Sequence, residues 1–365
     1  MTTPAAPFVP PHCPRNDCPY HHCATGWRWV RHGGYSRQAA PQRIQRFRCA
    51  HCRHTFSEQS FRTTYWLRRP DVLPAVAFRL LACSGYRQIA REARCAPSTV
   101  MRQARRLGRH ALLYLREHRP RAAVTEPVVI DGFESFAFSQ YHPLYLNLAV
   151  GADSHYLYSF THTPLRRKGR MTAKQKRRRA TLEAQYGRPD PRGIERDTLA
   201  ALRLAVPEPQ ALVVRSDEHD DYPRALRGLR GYAITHQRTS SKAARTTGNP
   251  LFPVNLKDLL IRHCCANHKR ETIAFSKRHQ SVVERLAWLA LWINFGKPFS
   301  ENHGGGTPAM RLGLTDRPIS TRELLGRRRF PGRVRLPEPW AGYYGGEVRT
   351  RRIANERRHA LKLAT

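Results

Sequence analysis

Acidic residues and long apolar runs are both scarce in this chain. Only 27 Asp and Glu stand against 64 Lys and Arg, a formal charge of +37 with a pI near 11.1. An excess of that size repels itself in a compact fold and is tolerated best beside a polyanion, so nucleic acid is the expected partner. No apolar stretch nears the ~18 residues of a spanning helix. The opening "MTTPAAPFVPPHCPRNDC" also lacks a signal-peptide pattern, so a soluble, cytoplasmic protein is expected. No internal repeat, phosphate-cradling glycine loop or nucleophile elbow occurs, which argues against an ATP-driven enzyme or a serine hydrolase. With 365 residues, 40% of them hydrophobic, the chain is long enough for two or three domains and at least one sizeable core.

An even cysteine framework is missing as well. There are nine cysteines, five of them before residue 53, so metal binding is considered ahead of disulfides. "HCPRNDCPYHHC" is followed by "QRFRCAHCRHTF", in which Cys49 and Cys52 form a knuckle that turns two thiolates toward one ion. Cys13 and Cys18 make a wider turn of the same kind, and the four complete a tetrahedral zinc set. The alternatives are a quartet drawing on Cys23, His21 or His22, or scattered cysteines without metal. "WRWVRHGGY" and "IQRFRC" read as two short strands, giving a zinc ribbon over 10–60.

Residues 68–118 place Leu80, Leu81, Ile89, Ala93, Val100 and Leu107 at helical intervals. Gly85 breaks the first run, a short helix spans Tyr86 to Ala93, and "CAPSTV" supplies a turn. A helix starting at Pro97 or Ser98 then carries Arg102, Arg105, Arg106 and Arg109. This pattern fits a helix-turn-helix whose basic second helix enters the DNA major groove. The plain alternative is a helical bundle with a charged face. Cys83 and Cys95 are expected to act as small core residues.

"EHRPRAAVTEP" reads as a linker. Beyond it come strands at "VVIDGFESFAFS", "LYLNLAVGAD" and "HYLYSFTHTPL", then "RRKGRMTAKQKRRR" with nine basic residues in fourteen. "GIERDTLAALRLAV" is an amphipathic helix, "QALVVRSD" a fourth strand, "GYAITH" a fifth, and the remainder is helical as far as "WINFGKPF". Three antiparallel strands, a helix, then two strands with helices is the order of a ribonuclease-H-like fold. In that order the first and fourth strands adjoin, which predicts that Asp131 and Asp217 meet at one sheet edge. Two close carboxylates repel each other unless a cation sits between them, and magnesium suits them. The plain alternative is strand capping or pairing with arginine.

These motifs resemble bacterial insertion-sequence transposases of the DDE type that carry a zinc ribbon and a helix-turn-helix. "QRFRCAHCRHTF" is similar to the second zinc knuckle of that type, "IDGFESF" to its first catalytic motif, "RSDEHDDYPRAL" to its second, and "RETIAFSKR" to the stretch after its third acid. The resemblance implies a catalytic domain over 126–300 with a basic insertion at 164–192. Magnesium or manganese would be held there by Asp131, Asp217 and a third acid. It also implies double-stranded DNA (element ends and target) as substrate and a homodimer or larger assembly on DNA. The family usually has a glutamate as third acid. Here Asn255 stands at the glutamate position of one group, and the alignment of a related group gives Asp258, with Glu284 and then Glu271 as alternatives. Strand transfer at the element's ends is the implied activity. A DNA-binding protein or repressor without catalysis, or a nuclease or resolvase, are the competing classes. "WLALWINF" is expected as a core helix, His236 is the one histidine to watch, and 301–365 is expected to be a basic extension contacting DNA or a second subunit.

Overall fold

The computed structural model describes residues 8–300, 302, 304–351 and 353. In chain order its elements begin with α1 (Pro19–His22) and a three-stranded antiparallel sheet, β1 (Trp29–Ser36), β2 (Arg43–Cys49) and β3 (Thr55–Ser57). Three helices follow, α2 (Val72–Leu81), α3 (Tyr86–Glu92) and α4 (Pro97–Glu117). Gly85 caps α3 through its N–H to Gln88 Oε1 at 2.6 Å, and Pro97 opens α4, where its missing N–H costs nothing.

The large sheet contains β4 (Val128–Phe136), β5 (Pro143–Gly151), β6 (Leu157–Pro164), β7 (Ala211–Ser216) and β8 (Ala233–Arg238), in the order β6-β5-β4-β7-β8. The first three strands are antiparallel, and β7 and β8 run parallel to β4. α5 (Ala173–Tyr186) and α6 (Gly193–Ala205) connect β6 to β7 and α7 (Asp221–Arg227) joins β7 to β8. α8 (Phe252–Cys264) and α9 (His279–Phe295) follow, then the short α10 (Pro308–Arg311), α11 (Thr321–Leu324) and α12 (Trp340–Gly345). The protein is thus a mixed α+β fold with a five-stranded mixed sheet and a separate three-stranded one. No helix among the described residues is long and apolar enough to cross a membrane.

Alternation along β4 sorts the two faces of the sheet. Val128 and Ile130 join Leu202, Val214 and Tyr222 in a core under α6 and α7. Val129 and Phe133 enter a larger core with α8, α9 and α2–α4. The stretch expected as a core helix is one: α9 is buried along almost its whole length, and Trp288 Nε1 donates to the Ala77 carbonyl at 2.9 Å.

α2–α4 share one apolar core with the large sheet, because α4 packs along α9 and both contribute apolar residues to it. The described part of 301–365 packs back against the rest of the fold. Trp340 Nε1 donates to the Phe160 carbonyl at 3.0 Å, and the Leu324 carbonyl meets His110 Nε2 at 2.7 Å, so the segment straps β6 to α4. Its aromatic and leucine residues outweigh its charge in deciding where it lies. Residues 354–365 fall outside the described residues.

Candidate active site and metal centre

Four thiols gather where the two N-terminal turns meet. Cys13, Cys18, Cys49 and Cys52 place their sulfurs within 4.8 Å of one another, with 3.6 Å between those of Cys13 and Cys52. Tetrahedral zinc with bonds of ~2.3 Å requires sulfurs ~3.8 Å apart, so this donor set fits zinc. Cys23 is exposed, and His21 turns its Nδ1 to the Cys13 carbonyl at 2.8 Å, which leaves both outside the quartet. Burial raises the Cys13 thiol well above its ordinary range. At Cys49 burial also acts upward, but N–H groups of Trp27, Cys52 and His51 outweigh it and bring the thiol down to about 7. The ordinary cost of making thiolates is thereby lowered on the side that Trp27 covers, at 3.3 Å from Cys49 Sγ.

The second cluster lies at the edge of the large sheet. Val128 pairs with Val214 and Val129 with Arg215 in the parallel ladder; Asp131 lies two residues beyond the last pair on β4, and Asp217 follows the end of β7. Asp131 shares the β4 face of Val129 and Phe133, the face that α8 covers with Val254 and Ile261. Its Oδ1 accepts from its neighbour Gly132 N at 2.7 Å and from Tyr222 Oη at 3.1 Å, and Tyr222 meets Tyr145 Oη at 3.0 Å. Asp217 Oδ1 accepts from His219 N at 2.9 Å, while Ser216 Oγ lies 2.8 Å from His236 Nε2.

Asp258 comes from α8. Its Oδ1 is buried without a hydrogen-bond partner, an arrangement that costs free energy unless something cationic occupies it. Burial, and next the charge of Asp131, push its carboxyl up to about 8. Asp131 is pushed up to about 6, by burial first and with a contribution from Asp217. The three aspartates therefore share one electrostatic neighbourhood. They are spaced more widely than the thiols: among the described residues only the cysteine quartet has all its ligand atoms within 4.8 Å. Hard oxygen donors, mutual repulsion and an orphaned Oδ1 fit magnesium in kind, and a pair of cations ~3.5–4 Å apart suits a wider set.

The alternatives for the third acid lie elsewhere. Glu284 is 1% exposed, accepts from Gln280 Nε2 at 2.9 Å, and sits 4.0 Å from Arg105 against α4. Glu271 is exposed in a turn after α8. The four arginines of α4 also part company. Arg102 is exposed, but Arg105 faces Glu284, Arg106 donates to the carbonyls of Thr63 and Tyr65 at 2.8 and 3.0 Å, and Arg109 donates to that of Tyr344 at 2.9 Å. Of the four arginines expected to meet DNA, Arg102 is the exposed one, and the other three have partners inside the protein. A 21-residue helix that packs on α9 and on the C-terminal strap turns most of its circumference inward.

Arg245 and Arg262 went unnoticed in the sequence. Arg245, exposed between β8 and α8, only partly offsets the upward push that burial gives the carboxyls of Asp131 and Asp258. Arg262 follows Asp258 by one helical turn and lies 4.4 Å over the Phe133 ring. Its i+4 spacing was the available signal; Arg245, in a loop rich in basic and small polar residues, offered none.

No family model and no curated protein matches this sequence. Among solved structures, the chain is similar to one in the cryo-EM structure of a simian T-cell lymphotropic virus intasome in complex with PP2A regulatory subunit B56 gamma. The two share 15% sequence identity over 61% of this chain and 62% of that chain, with a TM-score of 0.21. This chain therefore spans about three fifths of that one's length. The chemistry of the site rests on this protein's own residues.

Proposed function

We propose that this protein is a DNA transposase of the DDE type, built on a ribonuclease-H-like sheet and cutting and joining DNA ends. What supports the reading is that Asp131 on β4 lies within electrostatic reach of both Asp217, just after β7, and Asp258 on α8, and that Asp258 Oδ1 is buried without a hydrogen-bond partner. Divalent cations held by these carboxylates would lower the pKa of an attacking water and stabilise the departing oxygen. The chain's own part is to fix the oxygens. Tyr222, itself held by Tyr145, would orient Asp131, and α8 would supply Asp258. Arg245 and Arg262 set positive charge where a phosphodiester would enter. Water attacks at the element end, and the freed 3′ hydroxyl then attacks target DNA. The net charge of +37 supplies the affinity for the backbone.

A second reading is an element-derived DNA-binding protein that does not cut. It is favoured by the wide spacing of the three carboxylates. A supercoiled plasmid carrying the gene's own flanking DNA separates the two. Incubated with magnesium, wild type cleaves and joins it, while Asp217→Ala and Asp258→Ala bind it and leave it intact. Binding without cleavage by wild type would leave only the second reading.

A further inference from the structure

The zinc-ribbon end carries a groove that the carboxylate site does not use. It is open, encloses about 500 Å³, and is lined by Tyr35, Arg37, Arg46, His54, Tyr65 and Trp66 among others. No acidic side chain among the described residues lines it. Trp66 is its most unusual member. The indole is 69% exposed, and the residue adopts φ +63°, a left-handed conformation that is a genuine outlier for a bulky side chain. A strained backbone that exposes a large apolar ring needs support from elsewhere, and the support is present. Arg106 donates to the carbonyls of Thr63 and Tyr65, Arg328 donates to that of Ser60 at 3.2 Å, and the Arg328 guanidinium lies 4.6 Å over the Tyr65 ring. Helix α4 and the C-terminal strap thus anchor the backbone leading into Trp66, whose ring is exposed.

An exposed indole beside arginines in an acid-free groove has the chemistry of a stacking platform. Its planar face accepts an unstacked base, and the cations follow the phosphates on either side. A duplex offers no free base face, so the groove selects unpaired nucleotides. We propose that this groove binds single-stranded DNA, with Trp66 stacking one base and Arg46 contacting the adjoining phosphate. The choice of DNA over RNA rests on the DNA-processing reading above. The inference adds a site for unpaired bases, separate from the carboxylates, to which a strand melted near a cut end can be held.

The test uses the full zinc-loaded chain without magnesium and a fluorescein-labelled oligo-dT, read by anisotropy. Blunt duplex and oligo-rU of equal length run in parallel. Trp66→Ala is expected to weaken oligo-dT roughly 5- to 150-fold, the worth of one stacked base, with duplex binding unchanged. Trp66→Phe should recover most of the loss, and binding should quench wild-type tryptophan fluorescence in a way that Trp66→Ala abolishes. Arg46→Gln should reduce the salt dependence of oligo-dT binding. Equal oligo-dT affinity in wild type and Trp66→Ala, or equal losses for oligo-dT and duplex, would overturn the proposal. Tighter Trp66-dependent binding of oligo-rU would overturn its assignment to DNA. Because the oligonucleotide assay omits magnesium, a chain that stacks oligo-dT through Trp66 but never cuts plasmid when magnesium is supplied refutes the catalytic reading alone. A chain that cuts but ignores Trp66 refutes the groove alone.

Discussion

Gly108 is where the packing of the fold is most exposed to a single methyl group. It lies inside α4 against α9, and a Cβ built on it would meet Glu284 Cα and O at 2.7 Å and Glu284 Cβ at 2.8 Å. Two of these atoms belong to backbone, so no side-chain rotation relieves the clash. Gly108→Ala therefore has two opposed effects. In an isolated helix it would gain about 1 kcal/mol from better helix propensity. Against α9 it forces the helices apart, and overpacking of this kind costs about 1–3 kcal/mol. A net loss of about 1–2 kcal/mol is expected, since contact below 3 Å with backbone belongs at the upper end of that range. At ~2.1 cal/mol/K of unfolding entropy per residue, a chain of 365 residues should lose about 1–3 °C in melting temperature. Calorimetry at neutral pH on wild type and Gly108→Ala is the assay. A rise in melting temperature would mean that propensity alone is felt, that α4 does not lie against α9 as described, and that the shared core is wrong.

Other perturbations probe the remaining parts. Gly132→Ala would put a Cβ 1.7 Å from the Tyr145 ring, so the ring must leave and the Tyr145–Tyr222–Asp131 chain breaks; a loss of about 1–3 kcal/mol with slower plasmid cleavage is expected, and unchanged cleavage would remove Tyr222 from its orienting role. Cys49→Ser should abolish the bound zinc measured by atomic absorption and open the ribbon around Phe47 and Phe56 to proteolysis, whereas full zinc retention would exclude Cys49 as a ligand. His110 is buried with its Nε2–H on the Leu324 carbonyl, and burial, then Arg329, hold it down to about 3. Below pH ~6.5 the unfolded chain takes up a proton there that the folded one refuses, so stability is full above that pH and is lost as pH falls toward 3, by about 2 kcal/mol at pH 5. An acid-denaturation slope unaltered in His110→Asn would contradict this.

Much of the layout was legible from periodicity alone. The β-branched alternation around Asp131, the turn residues at Gly151 and Asp153, and the amphipathic run of α6 each specify one element, and the structure has them there. The cysteine quartet was legible because knuckle spacing is a local property of the chain. Burial of whole helices was harder to read. An arginine on α4 looks solvent-facing in sequence, yet Arg106 and Arg109 reach carbonyls supplied by residues 63–65 and 344, a partnership that no local pattern announces. The same holds for the C-terminal strap, whose Pro and Arg content suggested an extension while Trp340 and Tyr343 decide its course. Of the candidate site, Asp131 and Asp217 could be located by strand order, but Asp258 relied on resemblance, and Arg245 needed the folded loop.

The central claim is that Asp131, Asp217 and Asp258 form one divalent-cation site, and manganese binding tests it most directly. Electron paramagnetic resonance titration of the zinc-loaded protein, without DNA, should show bound manganese in wild type that magnesium displaces, with weaker binding in Asp131→Asn, Asp217→Asn and Asp258→Asn alike. No binding in wild type, or undiminished binding in Asp258→Asn, would contradict it.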